Sequence, residues 1–148
     1  MRSPHPCEVR RGGFYIGEGF FNDMKHQIDT KLLAKLVAIK SVSSDAKACH
    51  RFLLVLKMIF EEAGVKVKIG FKDRQPFLVA GDSDRSDILF LSHGDVIPGS
   101  KSLFKLRQSR GKLFGRGVLD MKGPVLIALE VLLKLPQAFR DRILFVVT

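Results

Sequence analysis

Ile88-Leu89-Phe90-Leu91 runs without interruption into Ser92-His93-Gly94-Asp95-Val96-Ile97-Pro98-Gly99. Four consecutive apolar residues after the polar stretch 82–87 read as a strand buried on both faces, the kind found in a covered α/β sheet. A strand of that kind delivers the next few residues to the carboxyl edge of the sheet, where open α/β folds place ligands. The residues delivered there are an imidazole and a carboxylate, His93 and Asp95. They lie two positions apart, so an extended chain turns them to the same side.

Working outward, the period of the apolar residues names the neighbours. Ile28, Leu32, Leu33, Leu36 and Val37 share one helical face, and Asp29 or Thr30 can cap the start. Ser41, Ser43 and Ser44 break this helix and offer a cap for the next. The second helix spans about residues 45–63, with Cys49, Phe52, Leu53, Leu56 and Phe60 in its stripe and Gly64 at its end. Val65, Val67 and Ile69 then alternate with Lys66 and Lys68, a half-exposed strand, and residues 77–80 form another. Residues 101–117 read as loop or short hairpin. Pro124 suits the first position of a third helix, apolar nearly all round over residues 125–135 and therefore enclosed. Residues 143–147 are a further apolar strand. The order helix, helix, strand, strand, strand, helix, strand predicts an α/β layered sandwich with a mixed, partly parallel sheet flanked by helices. Residues 26–148 form this unit, and residues 1–25, rich in Gly and Arg without a sustained period, read as an irregular N-terminal extension.

Composition bounds the function. The 148 residues are 46% apolar and 27% charged, which is globular and excludes wholesale disorder. Two cysteines, Cys7 and Cys49, exclude a disulfide scaffold and fit reduced thiols in a cytoplasmic setting. The apolar runs are too short for a membrane span, and the first residues lack a secretory apolar core. Against 15 acidic residues stand 25 basic ones, a net charge of +10. The densest basic group is Lys105, Arg107, Arg110, Lys112 and Arg116, without the interleaved aromatics of a nucleic-acid stacking platform. A solvated basic surface is the favoured reading, with neither nucleic acid nor membrane as partner.

Two motifs carry chemistry. In Ser92-His93-Gly94-Asp95 the imidazole is a good zinc ligand, and the carboxylate is the usual partner for its second nitrogen. Alone, His-x-Asp is weak, because polar turns after strands often hold these residues. The second motif is Gly115-Arg116-Gly117-Val118-Leu119-Asp120-Met121-Lys122-Gly123-Pro124. Its glycines permit a tight turn, and Asp120, just before the enclosed helix, can bridge two cations with its two oxygens. The bland alternative is a carboxylate that caps the helix or pairs with Arg116 or Lys122. A dinucleotide reading fails, because the third glycine of that fingerprint is missing. Arg116 is read as structural, and Cys7, Cys49, His5, His26 and His50 are given no role.

Together, Ser92–Pro98 and Gly111–Gly123 resemble the N-terminal part of the dinuclear zinc amidohydrolases and exopeptidases, a family that includes acetylornithine deacetylase, succinyl-diaminopimelate desuccinylase, aminoacylase and glutamate carboxypeptidase. The resemblance runs from about residue 28 to 148 and includes Ser41-Val42-Ser43 and Glu61-Glu62-Ala63-Gly64. It implies that His93 ligates one zinc, that Asp120 bridges two, and that Asp95 is the catalytic acidic residue orienting His93. It implies hydrolysis of amide bonds in N-acyl amino acids or small peptides, with cobalt or manganese as possible substitutes for zinc, and a homodimer in complete members. Gly94 stands where the family often has Thr, and Arg110 where it often has an acidic residue. The acidic triplet that supplies the family's general base and a zinc ligand comes after the strand equivalent to 143–147, and the remaining ligands and the lid domain come later still. The chain is therefore expected to be a truncated portion of the catalytic domain that binds zinc weakly or not at all and is inactive alone. Two other readings stay open: a non-catalytic basic module that binds nucleic acid or another polyanion, and a chain that folds poorly without cover for its apolar strands.

Overall fold

A four-stranded mixed sheet with helices on one face positions everything else. The computed structural model describes residues 28–148, together with the strands Cys7–Arg10 and Gly13–Ile16. These two strands, β1 and β2, pair antiparallel as a ribbon. The remainder of residues 1–25, read from the sequence as an irregular extension, lies outside the described residues. In chain order come α1 (Thr30–Ala38), α2 (Ala46–Glu62), β3 (Val67–Lys72), β4 (Gln75–Ala80), β5 (Ile88–Ser92), a 3-10 turn (Lys101–Phe104), the hairpin strands β6 (Arg107–Ser109) and β7 (Lys112–Phe114), α3 (Lys122–Lys134), the short α4 (Gln137–Arg140) and β8 (Ile143–Val147). The sheet order is β3-β4-β8-β5; β5 runs parallel to β8 and the other neighbours are antiparallel. The mixed, partly parallel α/β sheet read from the sequence is the observed one.

Local chemistry explains the element boundaries. The Asp29 carboxylate accepts from the amides of Lys31 and Leu32, both at 2.9 Å, and starts α1. Asp45, and not one of the preceding serines, caps α2 by accepting from the Ala48 amide. Gly64, at φ 71°, ends α2 in the left-handed region, and the Val65 amide returns to the Phe60 carbonyl. α3 begins at Lys122, two residues before the expected Pro124. Proline is tolerated there because amides of a first turn have no partner within the helix.

The core lies between the helices and one face of the sheet. Leu33, Leu36 and Val37 of α1, Phe52, Leu53, Leu56 and Phe60 of α2, and Val125, Leu126, Leu129 and Leu132 of α3 meet Leu78, Ala80, Phe145 and Val147 of the sheet. Phe145 holds the centre. Its ring stacks on Phe90 at 4.6 Å and meets the edge of Phe60 at 5.4 Å.

The double burial expected for residues 88–91 does not occur among the described residues. Leu89 and Leu91 are 60% and 61% exposed, and Ile88 is 53% exposed. Only Phe90 and Ser92 turn into the core side of β5. The reason is position: β5 is an edge strand, and the long helices pack on the opposite face from Leu89 and Leu91. Among the described residues no helix is long and apolar enough to cross a membrane.

Candidate metal centre

His93 enters the site because β5 and β8 continue side by side past their formal ends. The Thr148 amide donates to the Ser92 carbonyl at 3.0 Å, and the Gly94 amide donates to the Thr148 carbonyl at 2.7 Å. The next residues are held by the α1–α2 connection. Val42 pairs with Val96 as a parallel bridge, the Val96 amide donates to the Ser41 carbonyl at 2.8 Å, and Ser41 Oγ donates to the Gly94 carbonyl at 2.7 Å. Two segments, the end of β8 and the α1–α2 connection, thus fix the backbone of residues 93–96.

The three residues singled out by the sequence converge. His93 Nδ1 lies 3.0 Å from Asp95 Oδ1, and His93 Nε2 lies 3.2 Å from Asp120 Oδ1. Both ring nitrogens of His93 therefore face carboxylates. A neutral imidazole donates on one side only, so its other nitrogen meets a carboxylate lone pair to lone pair unless a proton or a metal cation lies between them. A separation of 3.2 Å suits a direct hydrogen bond as well as two ligands of one cation. Nitrogen and carboxylate donors are also the types zinc accepts. The Asp120 side chain is 77% exposed, so its other oxygen is accessible. On these observations His93 and Asp120 fit a shared zinc ion. Among the described residues no group of three or more His, Cys, Asp or Glu side chains could hold a metal. Two protein ligands are fewer than the three of catalytic zinc sites, so affinity is expected to be weak.

These residues open on a cleft of about 360 Å³, whose lining includes Ser43, Ile97, Arg116 and Leu119. Arg116 serves the backbone of the site. Its guanidinium donates to the Pro98 carbonyl at 3.3 Å and its amide donates to the Leu103 carbonyl, so it ties the two loops of the site together. The other members of the basic group, Lys105, Arg107, Arg110 and Lys112, are exposed on and beside the β6–β7 hairpin.

Two residues of the site are not singled out by the sequence: Ser43 lies outside both motifs, and Lys122 lies inside the second but reads there only as a charge partner for Asp120. Ser43 Oγ donates to Asp95 Oδ2 at 2.5 Å. Lys122 is fully buried, and its ammonium donates to the Leu36 carbonyl at 2.9 Å and the Ile39 carbonyl at 2.5 Å, the orphan carbonyls at the end of α1. The positive charge suits the negative end of the helix dipole. Burial pulls its pKa down to about 8, with the nearby Cys49 acting in the opposite direction. Lys122 thereby clamps the turn that carries Asp120 onto α1. Lys122→Met keeps much of the bulk but leaves two buried carbonyls without a donor. It is expected to cost about 2 kcal/mol, read as a lower urea midpoint at unchanged slope.

Cys49 lies behind the site. Its thiol donates to the Val42 carbonyl at 3.4 Å, and burial, then the charges of Asp95 and Asp45, push its pKa up. Little thiolate is available, so alkylation of Cys49 in the folded chain is expected to run about 100-fold slower than in denaturant. Peptide mapping by mass spectrometry after timed iodoacetamide treatment reads this.

The description "Peptidase family M20/M25/M40" matches residues 89–148. The chain is 34% identical over 129 residues to a succinyl-diaminopimelate desuccinylase of Buchnera aphidicola (subspecies Cinara cedri), covering 79% of this chain and 33% of that protein. It is 28% identical over 109 residues to an acetylornithine deacetylase of Buchnera aphidicola (subspecies Acyrthosiphon pisum), covering 66% and 29%. The chain spans about a third of the length of the curated relatives it matches. Among solved structures, human carnosine dipeptidase 1 superposes with a TM-score of 0.63 at 24% identity, over 80% of this chain and 31% of that one. The M20 family metallo-carboxypeptidase Sso-CP2 of Sulfolobus solfataricus does so with a TM-score of 0.63 at 16% identity, over 82% and 30%. These last two likenesses concern the fold.

Proposed function

We propose that this chain, whose residues 89–148 match the description of peptidase family M20/M25/M40, builds the first part of a zinc-dependent site that hydrolyses amide bonds of N-acyl amino acids or small peptides. The observation that carries the reading is one imidazole held on Nδ1 by Asp95 and facing Asp120 through Nε2. In this reading His93 is a ligand to one zinc, Asp120 a bridging ligand to two, and Asp95 the acid that holds His93. Zinc, when bound, polarises a carbonyl oxygen and makes water a better nucleophile.

The chain's own residues supply orientation. Asp95 keeps the proton of the neutral ring on Nδ1 and leaves the Nε2 lone pair facing the cleft. Lys122 and the α3 N-terminus hold the Asp120 turn. Leu119, 88% exposed at the mouth, and Ile97, 65% exposed, offer apolar contact to a substrate. The resemblance assigns the role of general base to none of these groups but to an acidic residue beyond β8. The pairing of Thr148 with Ser92 and Gly94 brings that end of β8 beside His93. The substrate class and a homodimeric assembly rest on the same resemblance.

Zinc titration of the purified chain tests the assignment, with cobalt as a coloured substitute. Weak binding by the original chain is expected to fall at least about tenfold in His93→Ala and in Asp120→Ala. Equal affinity in all three proteins overturns it.

A further inference from the structure

Asp95 has two carboxylate oxygens, and they are used differently. Oδ1 faces His93 Nδ1, and Oδ2 accepts from Ser43 Oγ. A carboxylate held through one oxygen can turn about its last torsion, whereas one held through both has a fixed plane. Ser43 is itself held in place from three directions. Its amide donates to the Val96 carbonyl at 3.3 Å, its carbonyl accepts from Gln75 Nε2 at 3.4 Å, and the neighbouring Val42 bridges to Val96. The hydroxyl is therefore delivered to Asp95 by the α1–α2 connection, far from both sequence motifs.

We propose that Ser43 is a positioning residue of this site: its hydroxyl proton locks the Asp95 carboxylate, so that Asp95 accepts a hydrogen bond from the Nδ1–H of His93 and Nε2 is left as the metal-facing atom. The inference rests on the zinc-hydrolase reading for its purpose but not for its geometry. Ser43 donates its single proton to Asp95, and Asp95 accepts on both carboxylate oxygens. His93 donates from Nδ1 to Asp95, whose carbonyl also lies near that nitrogen, at 3.2 Å. The lone pair left over on the ring is the one aimed at Asp120. The role differs from that of Ser41, whose hydroxyl reaches the Gly94 carbonyl and supports backbone alone.

Nitrogen-15 spectra of the His93 ring in the full chain, at a pH where the ring is neutral, report which nitrogen carries the proton. The original chain is expected in the Nδ1–H form. A predominant Nε2–H form overturns the proposal before any variant is made. Ser43→Thr keeps the hydroxyl and is expected to keep that form. Ser43→Val removes the hydroxyl and is expected to shift the ring toward Nε2–H and to lower zinc affinity about tenfold. Ser43→Ala gives the same result free of the branched methyls. A ring unchanged in Ser43→Val and Ser43→Ala overturns the proposal, as does an equal shift in Ser41→Ala, which would make the effect one of backbone support. Absence of zinc binding in every protein would count against the metal reading and leave the tautomer result standing.

Discussion

Gly123→Ala is expected to destabilise the chain by about 3 kcal/mol or more and to weaken zinc binding with it. Alanine is the better helix former and gains about 1 kcal/mol within a helix. Steric conflict outweighs that gain here. A Cβ on Gly123 would lie 2.0 Å from the Val118 carbonyl oxygen and 3.1 Å from its carbon. The obstacle is backbone, which has no rotamer to escape into, and overpacking typically costs about 1–3 kcal/mol even where side chains can yield. Relief requires moving either the first turn of α3 or the Val118–Asp120 turn. Val118 is held to Gly115 by its amide, and Gly123 to Gly117 by its own. Either shift displaces Asp120 relative to His93. Urea unfolding gives the stability change and zinc titration the functional one. A variant as stable as the original would refute the close approach of α3 to this turn.

The second large effect concerns Gly94, where the resembling enzymes often carry threonine. Gly94→Thr is expected to cost about 3 kcal/mol, because its Cβ would lie 2.1 Å from Cε1 of the Phe52 ring. Phe52 is completely buried and also lies 5.3 Å beneath the Lys122 ammonium, so the ring cannot tilt without disturbing the clamp on α1. Phe52→Leu alone opens space and is expected to cost about 1–2 kcal/mol. Combined with Gly94→Thr it should relieve the clash, leaving the double variant more stable than Gly94→Thr alone. Thermal melts of the four proteins measure the coupling; on the order of 10 °C separates the original from Gly94→Thr. Costs that simply add would show that the two positions do not share space. Glycine at 94 and phenylalanine at 52 are in this sense one choice made at two places.

Legibility in the sequence depends on the range of the interactions. α1 and α2 are legible from apolar spacing and from Asp29, since helix faces and caps are local. Asp45 is open to the same reasoning but stands behind three serines that are equally good caps. β5 differs from expectation in its surroundings. An unbroken apolar run says that a strand prefers cover on both faces but not whether the described fold supplies it, and at the sheet edge it is supplied on one side. His93, Asp95 and Asp120 are legible because two motifs of unusual composition carry them. Ser43 and Lys122 are not, because their partners lie 52 and 86 residues away and serine and lysine are ordinary at surfaces. A signal for Ser43 is present in the alternation of two serines about Val42, which is strand-like, whereas a helix cap needs one polar residue.

The parallel pairing of β5 with β8 joins Ile88 to Ile143, with the β6–β7 hairpin and α3 lying between them along the chain. Local hairpins close quickly, and distant parallel pairs close late because the intervening loop must be ordered first. The anchoring of residues 92–94 by Thr148 belongs to that late step. During synthesis on a ribosome, then, His93 emerges long before Thr148, the partner that steadies its backbone.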